Sequence, residues 1–276
     1  MKLAEEIDRL LALSADEARR EGMATVLEFR DGLTKGKYRA AERSENGWRT
    51  NIWVKRGILL LFKTGVVESK SNPSEFYFFD KDTLPVKTLT LEDRVRVVPG
   101  GSSIRDGAYV APGVVCMPPM FINIGAYVDE GTMVDSHALV GSCAQIGKRV
   151  HLSAAAQIGG VLEPPGALPV IIEDEAFVGG NCGVYEGVLV RKRAVLAPGV
   201  LLTGGTAVYD LALGSVYRKT ADAPLTIPPG AVVVPGSRPA TGEFATANHI
   251  GLYVPVIVKY RDDKTDAATM LEEALR

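Results

Sequence analysis

Apolar and polar positions change rhythm along this chain. Near the N-terminus Leu3, Ile7, Leu10 and Leu11 fall on one helical face, and Ser14 to Arg30 reads as a second helix. Trp48 to Phe62 fits a helix or a strand. From Ile104 every sixth residue is aliphatic or Cys: Ile104, Val110, Cys116, Ile122, Val128, Val134, Val140, Ile146, Leu152 and Ile158. The residues four later in each hexad are mostly small or β-branched, from Ala108 and Val114 to Val150 and Ala156. The phase breaks at Gly159 to Ile171 and resumes at Ile172, Val178, Val184, Val190, Leu196, Leu202 and Val208, with an echo at Ile227 and Val233. Leu252 to Lys259 alternates as a strand, and Thr265 to Arg276 reads as a short helix with Thr265 as N-cap.

A phase of six is the mark of a parallel β-helix. Each hexad supplies one short strand and one turn, and three hexads close a triangular coil. One residue per hexad points into the bore, and a small residue packs beside it at the corner. A β-sandwich, with period two and turns every 8–12 residues, does not hold such a phase. The expected architecture is therefore mainly β: a mixed helical N-terminal region over residues 1–100, a β-helix over 101–236 with an insertion at 159–171, and a C-terminal strand and helix extension over 237–276.

Composition agrees. The chain has 29 glycines and 16 prolines, a richer share than the roughly 12% of an average protein, with 46% hydrophobic but only 7% aromatic residues. Corners consume Gly and Pro, and a narrow bore excludes rings. Between Ile104 and Ile158 only Arg105, Asp106, Asp129, Glu130, Asp135, Lys148 and Arg149 are charged. Prism flanks this apolar are expected to pack on copies of themselves as a homotrimer. A net charge of −2 argues against general nucleic-acid binding. The longest apolar run, Gly57 to Phe62, falls far short of a membrane span. Three cysteines without close spacing suggest reduced thiols and a cytoplasmic location. A three-histidine metal site of the carbonic anhydrase kind is disfavoured, since only His137 and His151 lie in the repeat and His249 is far along.

One stretch is specific. MPPMFINIGAYVDEGTMVDS, followed by VGSCAQIGKRVHLS and IGGVLEP, resembles the tetrahydrodipicolinate N-succinyltransferases, and the similarity runs from the N-terminal helices through Arg96 to the VIVKY segment. The resemblance implies a left-handed coil and transfer of succinyl from succinyl-CoA to tetrahydrodipicolinate in lysine and diaminopimelate synthesis. It implies a site between adjacent subunits and no tightly bound cofactor or metal. It makes Asp135 the aspartate that meets the substrate amine and Arg96 a holder of a substrate carboxylate. By spacing alone, Asp135 is equally a turn aspartate and Arg96 a surface charge.

Two departures stand out. The family string Ser-Glu-Val-Val-Glu-Gly becomes Cys182-Gly183-Val184-Tyr185-Glu186-Gly187. The second glutamate matches Glu186, but the first, associated with acid/base chemistry, falls on Gly183. The Thr-Trp that commonly follows the aspartate becomes Ser136-His137. Glu186 and His137 thus join Asp135 as catalytic candidates, each also readable as a solvated turn residue. His151, in the VHLS string, is expected on the outside of a coil. Gly159, Gly160, Gly180 and Arg191 are expected to contact CoA: glycine admits close backbone approach, and Arg191-Lys192-Arg193 suits phosphates, or forms a solvated edge. Cys116 and Cys182 are inward core residues. Two other readings remain: a related acyltransferase with acetyl-CoA or another amino-acid acceptor, and a non-catalytic β-helix scaffold.

Overall fold

The computed structural model describes residues 2–45, 47–70 and 77–262; the helix expected over Thr265 to Arg276 lies outside them. Helix α1 spans Lys2–Ala12 and α2 spans Ala15–Thr34. Ser14 opens α2 with a reciprocal cap: its Oγ accepts from the Glu17 amide, and the Glu17 carboxylate accepts from the Ser14 amide at 3.0 Å. The undecided stretch Trp48 to Phe62 divides. Gly47–Thr50 pairs with Ala41–Ser44 as a hairpin, and Ile52–Thr64 forms α3. The three helices share a core of Ile7, Leu10, Val26, Phe29, Leu33, Val54, Ile58 and Leu61.

After a short antiparallel pair, Val67–Ser69 with Phe79–Lys81, the chain from Arg96 builds a triangular parallel β-helix of two-residue strands. Face 1 stacks Arg96–Val97, Val115–Cys116, Met133–Val134, His151–Leu152, Phe177–Val178 and Val195–Leu196. Face 2 stacks Ser103–Ile104, Phe121–Ile122, Leu139–Val140, Gln157–Ile158, Gly183–Val184 and Leu201–Leu202. Face 3 stacks Tyr109–Val110, Tyr127–Val128, Gln145–Ile146, Ile171–Ile172, Leu189–Val190 and Thr226–Ile227. Tyr109 pairs with Tyr127 and Tyr127 with Gln145, so one coil is 18 residues. Successive residues of a strand point to opposite sides, so the first faces out and the second fills the bore. The inward positions and their corner partners form one continuous core that includes Cys116 and Cys182. Each aliphatic side chain fully buried this way contributes about 1.5–3 kcal/mol.

Two excursions interrupt the coil. Residues 159–170 loop out between faces 2 and 3. Residues 203–225 do so again, and here the expectation for Val208 is corrected. Val208 is buried, but it belongs to Val208–Asp210, which pairs antiparallel with Ser215–Tyr217 and parallel with the C-terminal strand Gly251–Tyr260. The six-residue phase reaches Val208 by coincidence, after the chain has left the coil. Face 1 ends in Ala231–Pro239, whose antiparallel partner is Gly251–Tyr260.

The N-terminal region docks on face 3 and on the edge between faces 2 and 3. The Arg39 guanidinium lies 3.6 Å from the Tyr127 ring centroid and donates to Gln145 at 3.0 Å. Arg30 pairs with Asp106 at 3.0 Å. Lys55, buried on α3, donates to the Ala167 carbonyl of the first excursion at 2.6 Å, and that burial holds its ammonium below the usual lysine range. Cys143 packs in this interface, beside Ile58 and Ile124. All three thiols are free and buried, and burial pushes Cys116 and Cys143 up to about 12. They are core groups, not nucleophiles.

Candidate active site

The candidate residues sit at corners, so the prism's three edges sort them. Asp135 follows the Met133–Val134 strand on the edge between faces 1 and 2. One carboxylate oxygen accepts from the Ser136 amide at 2.7 Å. The other lies 3.8 Å from Nε2 of His151, one coil along on face 1. The His151 ring packs edge-on against Phe177, with centroids 4.9 Å apart. His151 does face outward, as its string suggested, but this brings it to Asp135. The separation of 16 residues, one coil less two, was the available signal.

His137 occupies the same corner, with φ 61°. Its amide donates to the Pro119 carbonyl, and its own carbonyl accepts from Gln157 at 3.1 Å. Its side chain is exposed. Arg96 opens face 1, in the same outward row as Met133 and His151. Two rungs separate Arg96 from the Met133 coil, roughly 10 Å along the axis at the usual strand spacing. Gly180 lies on this edge too. Its carbonyl accepts from the Gly199 amide at 3.0 Å, and a Cβ on it would sit 3.2 Å from the Ala154 carbonyl.

The edge between faces 2 and 3 carries a second group. Gly159, Gly160, Val161, Glu163, Tyr185, Glu186 and Thr203 line a cavity of about 410 Å³. Glu186 is exposed at a corner with φ 54°, and its carboxylate accepts from the Gly204 amide at 2.9 Å, one coil along. The space over Gly183 is filled by Tyr185. A Cβ on Gly183 would lie 2.8 Å from the Tyr185 hydroxyl oxygen and 2.9 Å from Cζ. Tyr185 was missed in the sequence, where an aromatic two residues after a glycine carries no obvious meaning.

Arg191 falls on the third edge, between faces 3 and 1. It follows Leu189–Val190, and its Nε lies 3.3 Å from the Glu173 carboxylate. Glu173 is 2% exposed and also accepts from Trp48 Nε1 at 2.9 Å and the Lys192 amide at 3.0 Å, with Arg43 at 3.3 Å. The Arg191 charge is therefore answered within the chain and lies apart from the cavity. Of the four residues expected at CoA, Gly159 and Gly160 share the cavity, while Gly180 and Arg191 stand on the other two edges. Asp135 and Glu186 flank opposite edges of face 2, so one chain does not bring them together.

Among the described residues no group of three or more His, Cys, Asp or Glu is placed to hold a metal, and no helix is long and apolar enough to cross a membrane.

Residues 3–64 match the family described as Tetrahydrodipicolinate N-succinyltransferase N-terminal, and residues 169–204 match the Hexapeptide repeat of succinyl-transferase. A 2,3,4,5-tetrahydropyridine-2,6-dicarboxylate N-succinyltransferase of Bradyrhizobium diazoefficiens is 45% identical over 269 residues, covering 93% of this chain and 90% of that protein. Its namesake in Histophilus somni is 41% identical over 280 residues, covering 98% and 94%. Another, in Herminiimonas arsenicoxydans, is 46% identical over 252 residues, covering 88% and 86%. A Campylobacter jejuni crystal structure described as a putative 2,3,4,5-tetrahydropyridine-2-carboxylate N-succinyltransferase shares the fold. Its TM-score is 0.53 at 14% identity, over 90% of this chain and 64% of that one. The chain belongs to the tetrahydrodipicolinate N-succinyltransferase family of hexapeptide-repeat proteins.

Proposed function

We propose that the chain transfers succinyl from succinyl-CoA to the amino group of ring-opened tetrahydrodipicolinate, L-2-amino-6-oxopimelate, in lysine and diaminopimelate synthesis. The observation that carries the reading is the match along nearly the whole chain to relatives named for this substrate and this transfer.

The chemistry follows from the two edges of face 2. The substrate ammonium pairs with Asp135, whose carboxylate is held in place by the Ser136 amide and backed by His151. Asp135 takes a proton, and the freed amine attacks the thioester carbonyl. The new C–N bond forms, the C–S bond breaks, and the second proton shed by the attacking nitrogen goes to the departing sulfur, so that CoA leaves as the free thiol. Arg96 suits a substrate carboxylate by a charge-assisted hydrogen bond. The cavity at Gly159 and Gly160 takes the pantetheine arm of succinyl-CoA, a cosubstrate; no tightly bound cofactor takes part. His137 and Glu186 remain beside these two half-sites as secondary proton-handling candidates.

The N-terminal region covers face 3, and the reading has faces 1 and 2 pack against neighbours in a left-handed, cytoplasmic homotrimer. A trimer sets the Asp135 edge of one subunit against the cavity edge of the next.

The test is release of free thiol with succinyl-CoA or acetyl-CoA in the presence of the acceptor. Turnover with succinyl-CoA at least tenfold faster supports the reading. Turnover with acetyl-CoA alone overturns the donor assignment, and no turnover with either would make the chain a scaffold.

A further inference from the structure

The edge between faces 2 and 3 carries a second cavity past the last rung of face 2. It measures about 230 Å³, and its lining includes Gly205, Thr206, Arg218, Arg238, Leu252 and Tyr253. One pair of hydroxyls joins it to the cavity at Gly159 and Gly160. Thr203 lines the first cavity and Thr206 the second, and their Oγ1 atoms lie 3.1 Å apart. Gln157–Ile158 stacks on Gly183–Val184, and that strand on Leu201–Leu202. From Gly159 to Thr203 is therefore two rungs, roughly 10 Å at the usual strand spacing. An extended pantetheine arm is long enough to cover it.

The second cavity has the chemistry that the far end of such an arm needs. Arg218 follows the strand Ser215–Tyr217, and Arg238 pairs with Leu252 across the C-terminal hairpin. Both arginines are exposed. No carboxylate lines the cavity, and among the described residues neither guanidinium has an acidic partner. Arg191, by contrast, is answered by Glu173. Tyr253 is anchored at its tip, where the hydroxyl accepts from the Leu201 amide at 2.7 Å, yet the residue stays exposed. An anchored ring is a stacking platform for a base, and guanidinium forks suit phosphate oxygens. We propose that this cavity binds the 3′-phosphorylated adenosine end of the CoA donor, with Arg218 and Arg238 on its phosphates and Tyr253 against its adenine. The proposal rests on the acyl-transfer reading above, which puts the pantetheine arm at Gly159 and Gly160. It is independent of the acyl group, because the nucleotide lies remote from the thioester.

A contact this far from the reacting atoms acts equally on ground state and transition state, so its loss raises KM and leaves kcat unchanged. Arg218→Gln and Arg238→Gln are each expected to raise KM for succinyl-CoA about tenfold, the low end for a hydrogen bond to a charged group. The melting temperature should not move. Succinyl-dephospho-CoA, which lacks the 3′-phosphate, is expected to show a KM about tenfold above that of succinyl-CoA in the parent. In the double variant the two donors should differ by less than about twofold. Calorimetric titration with CoA itself is expected to show the same loss as a weaker Kd, without turnover. A double variant whose KM for succinyl-CoA and Kd for CoA stay within twofold of the parent overturns the proposal while leaving acyl transfer standing. So does a parent that treats the two donors alike. A parent that turns over neither succinyl-CoA nor acetyl-CoA overturns the functional reading instead.

Discussion

Asp135→Asn is expected to lower kcat by about 10²–10⁴-fold, the span that general acid–base catalysis contributes, with fold and oligomeric state unchanged. Asparagine has nearly the same shape and can still accept from the Ser136 amide through its carbonyl oxygen, so the corner should survive. It lacks the charge that pairs with an ammonium and the basicity that takes its proton. His151 lies beside the carboxylate, its Nε2 3.8 Å from Asp135. His151→Gln, which keeps a polar side chain against Phe177, is expected to lower kcat by less than Asp135→Asn. Full activity in Asp135→Asn would remove Asp135 from the mechanism.

The largest effect on stability is expected at Glu173. Its carboxylate is buried and joins the N-terminal hairpin to the coil through Trp48, Arg43, Arg191 and the Lys192 amide. Glu173→Ala leaves an indole N–H and a backbone N–H without their acceptor, each costing about 1–3 kcal/mol when buried. The two arginines are partly exposed and regain water, which limits their share. A total of roughly 2–4 kcal/mol is expected from these donors, and each 1 kcal/mol lowers the melting temperature by about 2–4 °C in a chain of this size. Glu173→Gln retains an acceptor and is expected to lose less than half as much. Thermal melts of the two variants measure this, and equal melting temperatures for Glu173→Ala and the parent would contradict it.

The coil was legible in the sequence because its bore admits only one class of side chain every sixth residue. Polar groups buried there would lose their hydrogen bonds to water, so the pattern from Ile104 to Ile158 could not drift. Val208 shows where that logic ends: it is apolar and in phase, yet the chain has already turned away into the hairpin with Ser215–Tyr217. Contacts one coil apart were within reach of the 18-residue period but hard to recognise. Arg191 and Glu173 are 18 residues apart, as are Glu186 and Gly204, and each pair meets at its corner. Read singly, Arg191 resembled a free phosphate ligand. The resemblance drew attention to Gly183 for the carboxylate it lacks. That the Tyr185 ring fills its place depends on the packing of two neighbouring coils, which no linear spacing reports.

The proposed function puts half a site on each edge of face 2 and requires two chains to complete one. Mixed trimers test this directly. Asp135→Asn removes one half-site, and Glu186→Trp plugs the other from an exposed corner. Each is expected to be nearly inactive alone. Random one-to-one mixing leaves each interface a one-in-four chance of pairing an intact Asp135 edge with an intact cavity edge, so the mixture should recover about a quarter of parental succinyl-CoA turnover. Mixed trimers no more active than the separate variants would place the whole site within one chain and contradict the account.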